Sequence, residues 1–297
     1  MYEQRFGLKR RPFPPTPDTH CYYPSTLHES ALTALNRGLA ENESFCLLTG
    51  EAGTGKTLLG YLLLERLEDT AASAFLCNSH FSDRSALLQA ILYDLGLPFD
   101  EGTEQTLRLR LIDQLLKNHA AGRRTILIVD ETHHFNAELL EEMRLMANLE
   151  ASGGKALQIV LLGKPSLART LREPGLESLR QRTAVRATLG VMEVEEACDY
   201  LLHHVRLAGG KPEKVFEDAA LETIARGTHG IPRCLNQAAH QALVLAHEGE
   251  LPIVDAEAAM EALMILGMAQ SESVADSELD SVQEPSHPSI QDFMRTA

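Results

Sequence analysis

The chain has 297 residues, 44% of them hydrophobic, enough for one large domain with its own core and a second, smaller one. Its formal charge of -15, from 42 acidic against 27 basic residues, disfavours nucleic acid as a partner unless basic groups cluster locally. No run approaches the roughly 18 apolar residues of a membrane span, MYEQRFGLKRRPF has no apolar stretch behind its basic residues, and five cysteines without a CxxC pair suggest neither a disulfide framework nor a zinc ribbon, so a cytoplasmic protein is expected.

The first 30 residues are rich in proline and aromatics (RPFPPTPDTHCYYPS), which predicts an extended segment lying against a domain rather than a helix. ESALTALNRGLAENE then reads as an amphipathic helix. FCLLT at 45–49 is a short apolar strand ending at a glycine-rich loop, and TLLGYLLLERLED follows at helical period. AFLCN at 74–78 predicts a second buried strand, SALLQAILYDLG and residues 103–118 two further helices, and TILIVD a third strand. LQIVLLG at 157–163 and AVRATL at 184–189 complete the set. Short buried strands alternating with helices imply an α/β fold, a parallel five-stranded sheet sandwiched by helices.

Beyond Gly190 the period is helical throughout: EVEEACDYLLHHVRLAG, DAALETIARGTHG, IPRCLNQAAHQALVLAHEG and VDAEAAMEALMILG predict a small all-α domain of four helices. The remainder is rich in serine and acids and is expected to be disordered. The expected organisation is a segment at 1–30 packing on the core, an α/β domain at 31–190, a helical lid at 191–267 and an acidic tail at 268–297.

GEAGTGKT at 50–57 matches G-x-x-x-x-G-K-[ST] between a predicted strand and a predicted helix, the setting that gives the motif its meaning. Gly50, Gly53 and Gly55 let the backbone curl so that the N–H groups of the loop, Glu51, Ala52 and Thr54 included, face a phosphate at the start of the helix that runs on through Leu58. Lys56 reaches the β- and γ-phosphates, and Thr57 offers its hydroxyl to magnesium. Such a site needs a second strand to bring an aspartate near the metal and a carboxylate near the attacking water. Asp130 and Glu131, closing ILIVDETHHF, fit those two roles. Zinc is not expected at His133 and His134, because adjacent side chains on a helix do not face one another and no cysteine lies nearby. One of the pair sensing bound nucleotide and a local hydrogen-bonding role both stay open. Asp-Glu-Thr-His also raises a helicase box, but a helicase needs a second motor domain of comparable size, and the second domain of this chain is short and helical.

A phosphate loop with a small helical lid resembles the AAA+ class, and three stretches extend the likeness. LLGKPSL at 161–167 stands where that class places a polar sensor of the γ-phosphate, which would be Lys164. LRQRTAV at 179–185 resembles the segment carrying an arginine finger, Arg182 or Arg180, acting on a neighbouring subunit's site. GIPRCLNQA at 230–238 resembles the second sensor, Arg233 at the start of a lid helix. Together with RFGLKRRPFPPTPDTHCYYPS, these motifs resemble the ATPase domain of the general secretion pathway protein A (ExeA-like) family over about residues 5–267.

The resemblance implies ATP and Mg²⁺ as cofactors, a homo-oligomer, and work on a cell-envelope machine (type II secretion, pilus or exopolysaccharide) through a membrane-embedded component, which would hold the protein peripherally at the inner membrane. Family members usually have glutamine where this chain has Lys164, so slower or differently gated hydrolysis is expected. Secretion members continue into a membrane helix and a peptidoglycan-binding domain; this chain stops in an acidic tail, so direct action on the cell wall is not expected. Two alternatives stay open: a DNA-associated ATPase of the transposase-helper kind, disfavoured by the acidic charge, and a nucleotide-dependent switch with low turnover. Tyr22 and Tyr23 with Pro15 and Pro17 are expected near the adenine, on the next subunit, or simply in the core.

Overall fold

The computed structural model describes residues 2–268 apart from positions 69, 101, 152 and 153; the tail beyond Met268, with the disorder expected of it, lies outside the described residues.

Five strands form one parallel sheet: β1 (Phe45–Gly50), β2 (Ala71–Leu76), β3 (Arg124–Val129), β4 (Gln158–Gly163) and β5 (Thr183–Leu189), in the order β2-β3-β4-β1-β5. In the register, Leu48 pairs with Leu162, Val129 with Leu161, and Gly50 with Leu189. Because all strands point the same way, the loops after β1 and β3 open on one edge, with β4 between them, as binding crevices of open parallel sheets do. Strand side chains alternate between faces. Phe45, Leu47, Leu127, Val129, Ile159 and Leu161 join one core, whereas Cys46, Leu48, Ile126, Ile128, Val160 and Leu162 join the other.

A four-residue helix, α1 (Tyr2–Arg5), opens the chain. α2 (Thr26–Ala40) and α3 (Lys56–Leu67) cover the second face. The first is covered by α4 (Arg84–Asp94), α5 (Glu104–Ala120), α6 (Ala137–Ala147), α7 (Pro165–Thr170) and α8 (Glu177–Arg182). Fully buried Glu142 of α6 accepts from both Nε and Nη2 of Arg108 on α5, at 2.9 and 2.7 Å. That bidentate pair satisfies a charge which alone would be costly to bury.

α9 (Val194–Leu207), α10 (Asp218–Gly227), α11 (Pro232–Glu248) and α12 (Ala256–Ile265) form the helical domain around Leu201, Ile224, Leu235, Leu243 and Leu263. Alanines 238, 239, 242, 259 and 262 line the helix contacts, which lets the backbones approach closely. Where the α/β domain leads into the lid, the Met192 amide donates to the Gly230 carbonyl at 3.0 Å. A side chain at Gly230, whose φ is +66°, would lie 1.9 Å from the Met192 oxygen.

Residues 2–13 depart from expectation. They pack on the helical domain, not on the α/β core: Tyr2, Phe6, Leu8 and Phe13 are buried in the lid's own cluster. The Lys9 amide donates to the Ala208 carbonyl at 2.8 Å, His204 Nδ1 lies 3.1 Å from the Pro12 carbonyl, and the Tyr2 hydroxyl meets His240 at 2.9 Å. The reason is apolar area, since four short helices with many alanines leave a face that these larger side chains cover. Further on, the Thr19 hydroxyl donates to Glu65 of α3 in the α/β domain.

Candidate functional site

A cavity of about 520 Å³ lies between the two domains, walled by the glycine-rich loop, the prolines and tyrosines of the N-terminal strap, and the start of α11. Gly53 (φ +85°) and Gly55 (φ +99°) adopt the left-handed backbone that curls the loop. The Arg233 amide donates to the Gly53 carbonyl at 3.2 Å, and a side chain on Gly53 would lie 2.9 Å from Arg233 Cβ. The lid helix carrying Arg233 thus closes directly on the loop.

Within the loop, Lys56 is buried and its Nζ donates to the Gly50 and Glu51 carbonyls, both at 2.9 Å. Burial pulls its pKa below the usual lysine value, against the raising influence of Glu131 and Asp130. Thr57, in the first turn of α3, donates its hydroxyl to Asp130 Oδ2 at 2.5 Å, joining the ends of β1 and β3 across the intervening β4. Asp130 Oδ1 accepts the Glu131 amide at 2.7 Å, and the Ser79 hydroxyl donates to the Asp130 carbonyl. Burial raises the Asp130 pKa, with the Thr57 and Glu131 hydrogen bonds opposing. A hydroxyl and a carboxylate side by side are the hard oxygen donors that magnesium takes.

Glu131 has φ +54°, a left-handed conformation that costs a non-glycine residue about 1 kcal/mol or more. This turn swings its half-exposed carboxylate to the cavity wall while Asp130 stays buried. His133 Nδ1 lies 3.3 Å from Glu131 Oε2 and 3.5 Å from the backbone amide of Lys164, which donates toward it. The acidic strand end and the end of β4 therefore meet through this imidazole. Burial and then His134 lower the His133 pKa, which favours the neutral ring.

Helical spacing does not keep the two histidines apart here. Residues 132–134 form a 3₁₀ turn, the His133 and His134 rings lie 4.1 Å apart, and His80 stacks beyond at 4.3 Å. Glu131, His133 and His134 each bring a donor atom within 4.8 Å of the others.

Arg180 and Arg182 sit elsewhere. They end α8, just before Thr183, which pairs with Phe45 at the start of β1, whereas the loop lies beyond Gly50 at its other end. Five residue steps at about 3.3 Å each separate the two ends by roughly 17 Å, so neither arginine reaches this chain's own loop through the sheet. Pro15, Pro17, Tyr22 and Tyr23 do line the cavity. Tyr22 also packs on the α/β core, and Tyr23 lies 5.8 Å from Tyr200 and 5.4 Å from His203 of α9. Residues that no motif marks complete the wall: His28 behind the loop, and Tyr200, whose hydroxyl donates to Asn236 at 2.8 Å.

A family model described as AAA domain matches residues 39–171. General secretion pathway protein A of Aeromonas hydrophila is 38% identical over 270 residues, 90% of this chain and 49% of that protein. Residues 39–171 thus carry an AAA domain, and the chain is similar over most of its length to general secretion pathway protein A. It spans about half the length of that curated relative. Among solved structures, this AAA protein resembles the ORC2 protein of Aeropyrum pernix (TM-score 0.66, 18% identity, 86% of this chain and 71% of that one) and Cdc6p of Pyrobaculum aerophilum (0.67, 18%, 82% and 70%). The RuvB branch migration motor of Thermotoga maritima is also similar (0.53, 16%, 86% and 74%). At these identities the likeness concerns the fold, a parallel sheet followed by a helical region. No helix among the described residues is long and apolar enough to cross a membrane.

Proposed function

We propose that this AAA protein binds ATP with Mg²⁺ and hydrolyses it to drive assembly or remodelling of a cell-envelope machine. The observation that carries the ATPase reading is the 2.5 Å contact between Thr57 and Asp130, which brings the phosphate loop and the acidic strand end into one site with Glu131 alongside. In this reading the loop amides and Lys56 bind the phosphates, and Lys56 exchanges its bonds to the loop carbonyls for phosphate oxygens. Thr57 and Asp130 would hold the metal, which when bound neutralises developing phosphate charge. Glu131 orients or deprotonates the attacking water. Arg233 reports nucleotide to the lid, and Lys164 brings a cation where a neutral amide is usual. Arg182, or Arg180, acts on a neighbouring subunit, so the working form is a homo-oligomer.

The envelope role rests on the general secretion pathway relative and requires a membrane-embedded partner. A DNA-associated role is the second reading; the solved neighbours include an Aeropyrum pernix ORC1 protein in complex with DNA, and the net charge of -15 weighs against it. The test is Mg²⁺-ATP turnover of wild type and Glu131→Gln, with and without DNA. Loss of general-base help predicts a fall of about 10²–10⁴-fold with ATP binding retained. Equal turnover of the two proteins removes Glu131 from the mechanism, and strong stimulation by DNA shifts the reading to the second role.

A further inference from the structure

The phosphate loop is held from behind by a histidine. His28, in the first turn of α2, is 4% exposed; its Nε2 lies 2.8 Å from the Thr54 carbonyl oxygen and its Nδ1 2.5 Å from Ser25 Oγ. A carbonyl oxygen only accepts, so Nε2 carries the proton. In a neutral imidazole Nδ1 then accepts, and the Ser25 hydroxyl donates to it. Ser25 is also the N-cap of α2, its Oγ accepting the His28 amide at 3.4 Å. Donor and acceptor positions of both residues are filled, which fixes one tautomer. Burial lowers the His28 pKa and keeps the ring neutral. The ring also packs on the loop itself: a side chain on Gly55 would lie 2.6 Å from Nε2.

Peptide geometry turns this support into a statement about the phosphate site. The Thr54 carbonyl and the Gly55 N–H belong to one planar trans peptide and point in opposite directions. A donor anchoring the carbonyl on the α2 side therefore turns the Gly55 N–H to the opposite side, toward the cavity that Gly55, Lys56 and Thr57 line. We propose that His28 is a positioning residue that locks the Thr54–Gly55 peptide so that the Gly55 amide is presented to a nucleotide phosphate. The inference rests on the reading of the loop as an ATP site.

The test compares His28→Ala, His28→Gln and His28→Asn in the full chain, measuring affinity for a fluorescent ADP, the KM and kcat for ATP, and urea unfolding. Gln carries an amide N–H at the level of Nε2, whereas Asn is too short to reach Thr54. Loss of one oriented hydrogen bond to an anion predicts ADP binding about tenfold to a hundredfold weaker in the Ala and Asn variants. KM should rise in step, kcat should change less than about threefold, and the Gln variant should recover wild-type affinity to within about threefold. Should the Ala variant fail to fold, the Gln and Asn pair decides alone. Wild-type affinity in His28→Asn, or equal losses in Gln and Asn, overturns the proposal while leaving the ATPase reading intact. A wild-type protein that binds no ADP overturns the ATPase reading and this inference with it.

Discussion

Replacing Asp130 by asparagine is expected to stabilise the nucleotide-free protein while abolishing its turnover. Asp130 is 2% exposed, and burial outweighs two hydrogen bonds in raising its pKa. At neutral pH the folded state therefore holds this charge less readily than the unfolded chain does. Asparagine retains both contacts: Oδ1 accepts the Glu131 amide, and Nδ2 donates to the Thr57 hydroxyl, which accepts as well as it donates. Relief of an active-site charge predicts about 0.5–2 kcal/mol of added stability at pH 8. Because the folded pKa lies above the ordinary value of 3.8, wild type gains stability as pH falls through the folded pKa. The advantage of the variant shrinks over that window and disappears below the unfolded value. Urea unfolding of magnesium-free protein from pH 8 down to about pH 4 measures this, and Mg²⁺-ATP turnover should fall at least about a hundredfold. A variant less stable than wild type at pH 8 would refute the reasoning, since the hydrogen bonds to the charged carboxylate would then outweigh its burial.

Glu142→Ala leaves Arg108 on α5 with Glu104 as its remaining carboxylate partner; breaking a buried pair on one side predicts a loss of about 3–5 kcal/mol in urea unfolding, with no specific effect on nucleotide affinity beyond that of stability. His204, buried beneath the N-terminal arm, has its pKa lowered from 6.5 to about 4, chiefly by burial. The neutral ring therefore contributes roughly 3 kcal/mol above pH 6.5 that is lost progressively as pH falls toward about 4, and His204→Gln should flatten that part of the stability profile. Arg182→Ala is expected to lower turnover about 10³-fold or more while leaving ATP affinity unchanged. Mixing it with Lys56→Ala subunits should restore turnover at mixed interfaces, where each protein supplies what the other lacks, and an absence of restoration would argue against action in trans.

The sequence made the buried strands legible because a two-sided sheet demands unbroken apolar runs, and the phosphate loop legible because its glycines, Lys56 and Thr57 stand at fixed offsets. The lid helices carried periodicity and end signals, and the four runs correspond to α9–α12. Helix α6 carries comparable signals, an Asn136 cap and buried Leu139, Leu140, Met143 and Met146. The destination of the arm was not legible, since aromatic residues among prolines announce burial without naming the surface. His28 was not legible for another reason. Its partner is a backbone carbonyl 26 residues away, and no spacing rule records such a contact. Helical spacing separates adjacent side chains, whereas the left-handed Glu131 followed by a 3₁₀ turn brings the rings of His133 and His134 together.

The docking of residues 2–13 on the lid has a consequence for how the chain is made. Tyr2 meets His240 across 238 residues, and Phe13 rests against Phe216 at 6.3 Å. At about 5–20 residues per second, the arm waits on the order of ten seconds or more after leaving the ribosome before its surface exists. By then the strands of the α/β domain, complete at Leu189, can have paired. A segment synthesised ahead of both domains thus docks only once its surface on the lid exists, and its four apolar side chains stay uncovered in the interval.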